Sequence, residues 1–189
     1  VLANASAVIS EGEVMQLETL NNIEIPEEKY LEVVAAKTAA LFSAASRIGA
    51  IISDKGGVEG DALESFGRNL GIAFQISDDL LDYGPPSLAL GKNIGDDLAE
   101  GKCTLPLIHA LRSVNDGEKR LLRSAIENGN REKIQEIQMI IEHTGSAAYT
   151  SRRAQEFAIA AKSQLKKLPE SIYLASLREL ADFSVSRIH

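Results

Sequence analysis

The chain has 189 residues, of which 44% are hydrophobic and 25% are charged, the composition of a soluble globular protein of one domain or a large part of one. The formal net charge of −7 argues against nucleic-acid binding, which needs a basic surface. The single cysteine, Cys103, excludes an internal disulfide framework and suits a reducing compartment. Because no apolar run approaches the length of a membrane span and no signal-peptide pattern is present, we expect a cytoplasmic protein without a transmembrane segment.

Helix follows helix along the chain, beginning with a helix over residues 1–20. Its first residues have the composition of a helix interior, without a cap or an initiator Met, so we expect further residues before Val1. A second helix begins at Pro26 and runs to about residue 52, because proline followed by acidic residues is a helix start signal. Residues 53–57 (SDKGG) break the pattern before a third helix over residues 58–83.

The third helix contains Gly67 and Gly71 in its interior, although glycine inside a helix costs about 1 kcal/mol relative to alanine. We expect these glycines either to allow close packing of a neighbouring helix or to leave room for a ligand. Two prolines end the helix, and residues 87–101 form a polar, glycine-containing loop. A further helix begins near Thr104 and four more follow it. Since no period-two alternation is present, the sequence predicts an all-α fold, with one helical domain over residues 1–189 that lacks its N-terminal part.

An acidic cluster lies near the end of the third helix, in residues 74–83 (FQISDDLLDY). Residues three and four apart share a helix face, so Asp78, Asp79 and Asp82 crowd together, with Gln75 one turn upstream. Carboxylates in such a cluster repel one another unless a cation neutralises them. Mg²⁺ takes oxygen ligands from a few carboxylates together with substrate phosphates. The cluster is therefore a candidate diphosphate–metal site.

Two other interpretations of the acidic cluster carry less weight. An acidic run is most often a solvated helix face, but the residues that flank this one are too apolar for a surface helix, which indicates that the carboxylates face a cavity or groove. An EF-hand calcium loop is excluded because its alternating aspartates, central glycine and terminal glutamate are missing.

Three lysines could complete a phosphate site. Lys37 stands beside Thr38 in the second helix, Lys92 lies in the polar loop, and Lys102 precedes the next helix. Each of them alone is more simply a surface lysine, because lysine is an unselective point-charge partner for phosphate.

Taken together, these motifs resemble the C-terminal half of the trans-isoprenyl diphosphate synthases (polyprenyl synthetases) over nearly the whole chain. Residues 71–82 (GIAFQISDDLLD) are similar to the family's second aspartate-rich motif with its preceding glutamine, and residues 91–102 are similar to the loop that follows it. Lys37 and Thr38 stand in the place of the family's Lys-Thr pair. Residues 11–17 (EGEVMQL) resemble the preceding helix in the form common among long-chain synthases that supply quinone side chains.

The resemblance implies an isoprenoid-synthase-type helical bundle, of which this chain is the C-terminal part, around a deep hydrophobic cavity. In that family two aspartate-rich motifs face each other across the cavity mouth and hold Mg²⁺ on the allylic diphosphate. Carried over by position, Asp78 is expected to ligate one Mg²⁺ directly, and Asp79 and Asp82 to hold it through water or to orient nearby groups. Four residues are expected to contact the allylic diphosphate or the cation formed from it, and a fifth is expected to support the mouth of this substrate site: Lys37, Thr38, Gln75 and Lys92, with Lys102 as the fifth.

The activity that the resemblance implies is a Mg²⁺-dependent prenyl transfer, in which isopentenyl diphosphate elongates an allylic diphosphate. Diphosphate departs from the allylic carbon, the double bond of isopentenyl diphosphate attacks the resulting cation, and a proton leaves. Magnesium ions and lysines stabilise the charge that develops on the departing diphosphate. Family members are usually homodimers, so we expect a homodimer, and residues 11–17 favour a long-chain product.

The family's first aspartate-rich motif has no counterpart here, since Asp96 and Asp97 lack a third carboxylate. Because half of the metal site is then absent, we expect this chain by itself to be inactive. Two alternatives remain open: a non-catalytic partner subunit of a heteromeric prenyl synthase, and a class I terpene cyclase. The cyclase is disfavoured because its second metal motif is typically built from Asn, Ser and Glu.

Overall fold

The computed structural model describes residues 1–84 and 94–187. These residues contain no β-strand, which confirms the predicted all-α class. A π-helical segment, Ala35–Ala39, joins the second α-helix to the third, and short 3₁₀ helices lie at Arg131–Lys133 and Leu165–Lys167. The α-helices are α1 (Leu2–Thr19), α2 (Glu27–Val34), α3 (Ala40–Ile52), α4 (Val58–Leu81), α5 (Asp96–Ala99), α6 (Leu105–Ala110), α7 (Asp116–Asn128), α8 (Ile134–His143), α9 (Ser146–Gln164) and α10 (Ile172–Ser186).

Helices α2 and α3 and the π-helical segment between them form one uninterrupted helix, Glu27–Ile52. By length and composition alone this helix could cross a membrane, which corrects the expectation that no apolar run approaches that length. One such helix is weak evidence for a membrane span, because helices of soluble proteins pass the same test. Here the helix carries Lys37 and Arg47 and packs against α1 and α4. It is a wall of the bundle, with 22% of its most apolar window buried.

Gly67 and Gly71 of α4 lie where the preceding helix packs against it. A Cβ atom at Gly67 would stand 2.3 Å from the carbonyl oxygen of Phe42, and one at Gly71 would stand 2.7 Å from the Cα atom of Ala39. Neither distance leaves space for a methyl group. The prediction of close packing by a neighbouring helix is therefore confirmed, and this packing brings Thr38 alongside α4.

The loop predicted over residues 87–101 is described only from residue 94 onward, and that part contains the short helix α5. Gly95 precedes α5 with a φ of +79°, a conformation that glycine adopts without steric strain. Four helical residues are too few to give a periodic sequence pattern, which is why the sequence predicts a loop there. Lys92 and the prolines that follow the third helix lie outside the described residues.

Helix α4 is central in the described bundle, because it packs against α3 and against α9. The main apolar core contains fully buried side chains from α4, α6, α7 and α8, and a smaller core joins α4 to the last two α-helices. Each such side chain contributes about 1.5–3 kcal/mol through its removal from water. The acidic end of α4 is thus held by a rigid scaffold. It stays a prediction that residues 1–189 form a single domain that lacks its N-terminal part.

Candidate active site

A cavity of about 150 Å³ lies beside the acidic end of α4. Its walls come from the end of α1, from the Glu27–Ile52 helix, from α4 and from the segment around α5. Apolar side chains such as Ile25 and Val33 form part of the lining, and polar side chains converge on the rest. Five predicted site residues meet here: Lys37, Thr38, Gln75, Asp79 and Lys102.

A chain of three hydrogen bonds crosses this cavity wall. The Tyr30 hydroxyl donates to Oδ2 of Asp79 at 2.6 Å, and Nε2 of Gln75 donates to Oδ1 of the same carboxylate at 2.6 Å. The Thr38 hydroxyl then donates to Oε1 of Gln75 at 2.9 Å. The sequence analysis placed Gln75 and Asp79 on one helix face, and the structure joins them to two residues of the neighbouring helix.

Asp79 is 4% exposed, and its environment disfavours the carboxylate. Burial and the nearby negative charge of Asp97 raise the pKa of Asp79 to about 7, although the hydrogen bonds from Tyr30 and Gln75 act in the opposite direction. Burial, together with the Asp79 charge, also raises the pKa of the Tyr30 phenol well above its ordinary value. Tyr30 therefore remains a hydrogen-bond donor at neutral pH.

Asp82 has a different environment, at the C-terminal end of α4. Its two carboxylate oxygens accept hydrogen bonds from the backbone N–H groups of Asp96 and Asp97, at 3.1 and 3.0 Å. Burial and the charge of Asp97 raise the pKa of Asp82 to about 6, against the lowering effect of these two hydrogen bonds. Asp82 thus ties the end of α4 to the start of α5.

Lys102 brings a positive charge to the same cavity. Its Nζ lies 2.9 Å from Oδ1 of Asp97 and 2.8 Å from Oε2 of Glu100. Burial lowers the pKa of Lys102, but the bonds to Glu100 and Asp97 outweigh it and raise the pKa above its ordinary value. The ammonium group is therefore charged at neutral pH and offsets the negative charges of Asp97 and Glu100.

Lys37, the other cation of the cavity wall, is held by α1. Its Nζ donates to Oε1 of Gln16 at 2.5 Å and lies 2.6 Å from Oε2 of Glu13. Both partners belong to residues 11–17, so the segment that resembled long-chain synthases has a direct contact with the predicted phosphate ligand. Lys37 is about one-third exposed and can reach an anion in the cavity.

The three aspartates of the acidic cluster do not share one position. Asp79 lines the cavity and Asp82 is buried at the end of α4, whereas Asp78 is half-buried and outside the cavity lining. Within residues 1–84 and 94–187, no three His, Cys, Asp or Glu side chains converge on a common metal position. Asp79 and Asp82 do not converge because each of them accepts hydrogen bonds from other groups of the protein. The assignment of these aspartates as metal ligands therefore stays a prediction. Lys92 cannot be placed, since it lies outside the described residues.

Two polar groups of the cavity were missed by the sequence analysis. Tyr30 is buried and bonded to Asp79, and its position seven residues before Lys37 puts both on one helix face, which is a usable signal. Asp97 was considered as part of the loop over residues 91–102 and as part of an incomplete aspartate motif, and not as a site residue, yet its charge affects the pKa values of both Asp79 and Asp82. Asp97 lies near these two carboxylates only because the chain returns to the cavity through α5.

Residues 1–144 match the Polyprenyl synthetase family. The chain belongs to this family. It is 46% identical over 188 residues to an octaprenyl diphosphate synthase from Haemophilus influenzae, a match that covers 99% of this chain and 57% of that protein. It is also 35% identical to a short-chain isoprenyl diphosphate synthase from Methanothermobacter thermautotrophicus, covering 100% of this chain and 58% of that protein. The chain thus spans somewhat more than half the length of these polyprenyl synthetase relatives.

Solved structures of polyprenyl synthetases have the same arrangement of helices. A polyprenyl synthase from Caulobacter crescentus, solved with calcium and isoprenyl diphosphate, superimposes with a TM-score of 0.94 at 40% identity, over 100% of this chain and 58% of that one. A decaprenyl diphosphate synthase from Rhodobacter capsulatus gives a TM-score of 0.91 at 42% identity, over 100% and 58% of the two chains. The predicted isoprenoid-synthase-type bundle is therefore confirmed, as is the resemblance that led to it.

Proposed function

We propose that this chain forms the allylic-diphosphate side of a trans-polyprenyl diphosphate synthase, a prenyltransferase that condenses isopentenyl diphosphate with an allylic diphosphate. The observation that carries the proposal is the cavity in which Lys37, Lys102 and the Thr38–Gln75–Asp79 hydrogen bonds meet. Membership of the polyprenyl synthetase family supports the same reaction class.

Mg²⁺ fits the donor set at the end of α4. Four carboxylates, those of Asp78, Asp79, Asp82 and Asp97, lie in or beside the cavity, and like charge with burial raises the pKa of two of them. Hard oxygen donors in an anionic cluster are suited to Mg²⁺ with substrate phosphates as additional ligands. Asp78 is the proposed direct ligand, and Asp79 and Asp82 are proposed to orient the groups around it. A bound Mg²⁺ would stabilise negative charge on the leaving diphosphate.

The protein's own side chains have two tasks in the proposed reaction. Lys37 and Lys102 offer ammonium groups to the diphosphate, and Lys92 is proposed as a third cation for the same group. The second task is to stabilise the allylic cation without reacting with it, which suits the neutral dipoles of Thr38 and Gln75. After isopentenyl diphosphate attacks, the departing diphosphate is the proposed acceptor of the released proton, so no protein nucleophile is needed.

The relatives contain residues that this chain does not match, and the proposed reaction needs groups from that unmatched part. In the family, the first aspartate-rich motif and the isopentenyl diphosphate site lie upstream of the part that this chain matches, so we propose that residues 1–189 alone do not elongate a prenyl chain. A homodimer in the cytoplasm is the proposed working form. A long-chain product is proposed from residues 11–17 and is consistent with the octaprenyl and decaprenyl synthases among the relatives.

A non-catalytic partner subunit is the second candidate function, because the described residues contain no complete metal-binding group. In that role the chain would bind a catalytic subunit and contribute no metal site of its own. A class I terpene cyclase fits less well, since the acidic cluster consists of three aspartates.

An elongation assay separates these candidates. The complete protein is incubated with isopentenyl diphosphate, farnesyl diphosphate and Mg²⁺, and the products are separated by chain length. A series of products that lengthen by successive C5 units, made by the protein alone, supports the proposal. Activity that arises only on mixing with another synthase chain establishes the partner subunit, and cyclised hydrocarbons with no use of isopentenyl diphosphate establish the cyclase.

A further inference from the structure

Tyr30 is a buried tyrosine that lines the cavity of the candidate active site. Tyr30 is 5% exposed and lies in α2, while its hydrogen-bond acceptor Asp79 lies 49 residues later in α4. No family motif quoted above contains Tyr30, and it carries neither a charge nor a proposed metal contact. Its hydroxyl donates a 2.6 Å hydrogen bond to the same carboxylate that accepts a hydrogen bond from Gln75.

Hydrogen bonds to Asp79 set the direction of the Gln75 amide. In its ionised form the Asp79 carboxylate only accepts hydrogen bonds, and the Tyr30 hydroxyl and Nε2 of Gln75 both donate to it. The amide nitrogen of Gln75 is thereby directed to Asp79, and its carbonyl oxygen is left to face the Thr38 hydroxyl, which donates at 2.9 Å. Turning the amide over would place its carbonyl oxygen against the acceptor oxygen of the Asp79 carboxylate, which is unfavourable.

We propose that Tyr30 is a positioning residue for prenyl transfer, which fixes the carbonyl orientation of Gln75 by holding Asp79. The inference rests on the proposed function. Without the phenol, the carboxylate loses one of its two side-chain donors and can rotate about its χ angles, and Gln75 loses its fixed acceptor. A carbonyl dipole that points at the allylic carbon only part of the time stabilises the cation less, whereas diphosphate binding through lysines is unaffected.

The first test is kinetic and uses Tyr30→Phe in the complete protein. We expect kcat for one C5 addition to fall by about 10- to 100-fold, in keeping with the effect of a small misplacement, while KM for the allylic diphosphate changes less than about threefold. In a Gln75→Ala background, Tyr30→Phe should cause no further loss, because the group that it positions is gone. Additive losses in the double variant would overturn the proposal.

Tyr149→Phe is the matched control. It removes another phenol-to-carboxylate hydrogen bond of 2.6 Å, from Tyr149 to Glu27, and neither of these residues lines the cavity. If Tyr30 only stabilised the fold, the two variants would lower the melting temperature alike and neither would change kcat. A normal kcat in Tyr30→Phe, with the parent protein active, overturns the proposal and leaves the proposed function standing.

A second readout does not depend on activity. In the complete protein labelled with ¹⁵N-glutamine, the Gln75 side-chain amide signals are assigned by their loss in Gln75→Glu. Tyr30→Phe should shift these signals more than those of any other glutamine, and Tyr149→Phe should leave them in place. Unchanged Gln75 signals in Tyr30→Phe refute the positioning role. If the amide shifts while the parent protein elongates no substrate, the proposed function fails and the hydrogen-bond coupling is still established.

Discussion

The Tyr149 hydroxyl donates a 2.6 Å hydrogen bond to Oε2 of Glu27, a residue 122 positions earlier in the chain. Glu27 is 7% exposed and also accepts from Nε of Arg153 at 2.9 Å and from Nη2 of Arg112 at 3.2 Å. A buried carboxylate is tolerated only when donors of this kind satisfy it. The cluster fastens the first turn of α2 to α9 and to the chain just after α6.

Replacing Glu27 by glutamine should destabilise the protein in a pH-dependent way. Burial alone would raise the pKa of Glu27, but the hydrogen bonds from Tyr149 and Arg153 and the positive charges outweigh it, so its pKa lies below the ordinary 4.5. A carboxyl with a lowered folded-state pKa contributes stability above its unfolded pKa and loses it as pH falls through the folded value. We expect Glu27→Gln to lower the free energy of unfolding by about 1–3 kcal/mol at pH 7, measured by urea denaturation.

Urea denaturation of both proteins below pH 4.5 tests the direction of this pH dependence. There the difference between Glu27→Gln and the parent should shrink, because the parent's carboxylate becomes protonated as well. Glu28→Gln, in the same helical turn but exposed, is the matched control and should change stability little at either pH. A constant deficit of Glu27→Gln across this pH range would disprove the charge-based account.

Alanine at Gly67 and alanine at Gly49 should have opposite effects. A Cβ atom at Gly67 meets the Phe42 carbonyl oxygen at 2.3 Å, whereas one at Gly49 meets nothing within 4 Å. Both glycines lie inside helices, so alanine at Gly49 should stabilise by about 0.5–1 kcal/mol, and alanine at Gly67 should destabilise by about 1–3 kcal/mol through overpacking. Thermal melts of the two variants test this, and a stable Gly67→Ala protein would mean that α3 and α4 do not pack as described.

Asp82→Ala should loosen the segment that brings Asp97 and Lys102 to the cavity. The variant leaves the N–H groups of Asp96 and Asp97 without their carboxylate acceptor, at a cost of about 1–3 kcal/mol. Hydrogen–deuterium exchange at these two amides should accelerate relative to the rest of the protein. Asp82→Asn, which retains one acceptor oxygen, should give an intermediate rate, and unchanged exchange in Asp82→Ala would exclude the clamp.

Asp78→Ala tests the proposed metal ligand. In the complete protein at saturating Mg²⁺, we expect kcat to fall by at least about 10²-fold, the scale of losing one electrostatic contact to the transition state, while circular dichroism shows an intact fold. Glu127→Ala, at an exposed position of α7, is the control for loss of one negative charge and should keep full activity. Normal turnover of Asp78→Ala would remove Asp78 from the metal site.

The sequence analysis succeeded where the information is local. Helix periodicity, the start signal at Pro26 and the acidic cluster all depend on residues within a few positions of one another, and the structure confirms an all-α bundle with close helix packing at Gly67 and Gly71. It was less successful where an element is short, as with α5 (Asp96–Ala99). It also misjudged the Glu27–Ile52 helix, which is apolar in composition although only a small part of its most apolar window is buried.

By itself, the sequence determined the fold class and the family, and motif spacing along one helix defined which residues share a face, such as Gln75 and Asp79. Only the tertiary structure decided which partners these side chains have. Tyr30 reaches Asp79 across 49 positions, and Lys37 reaches Gln16 across 21. Such contacts depend on how closely the helices approach and at what rotation, and those quantities follow from packing between helices and not from any local pattern.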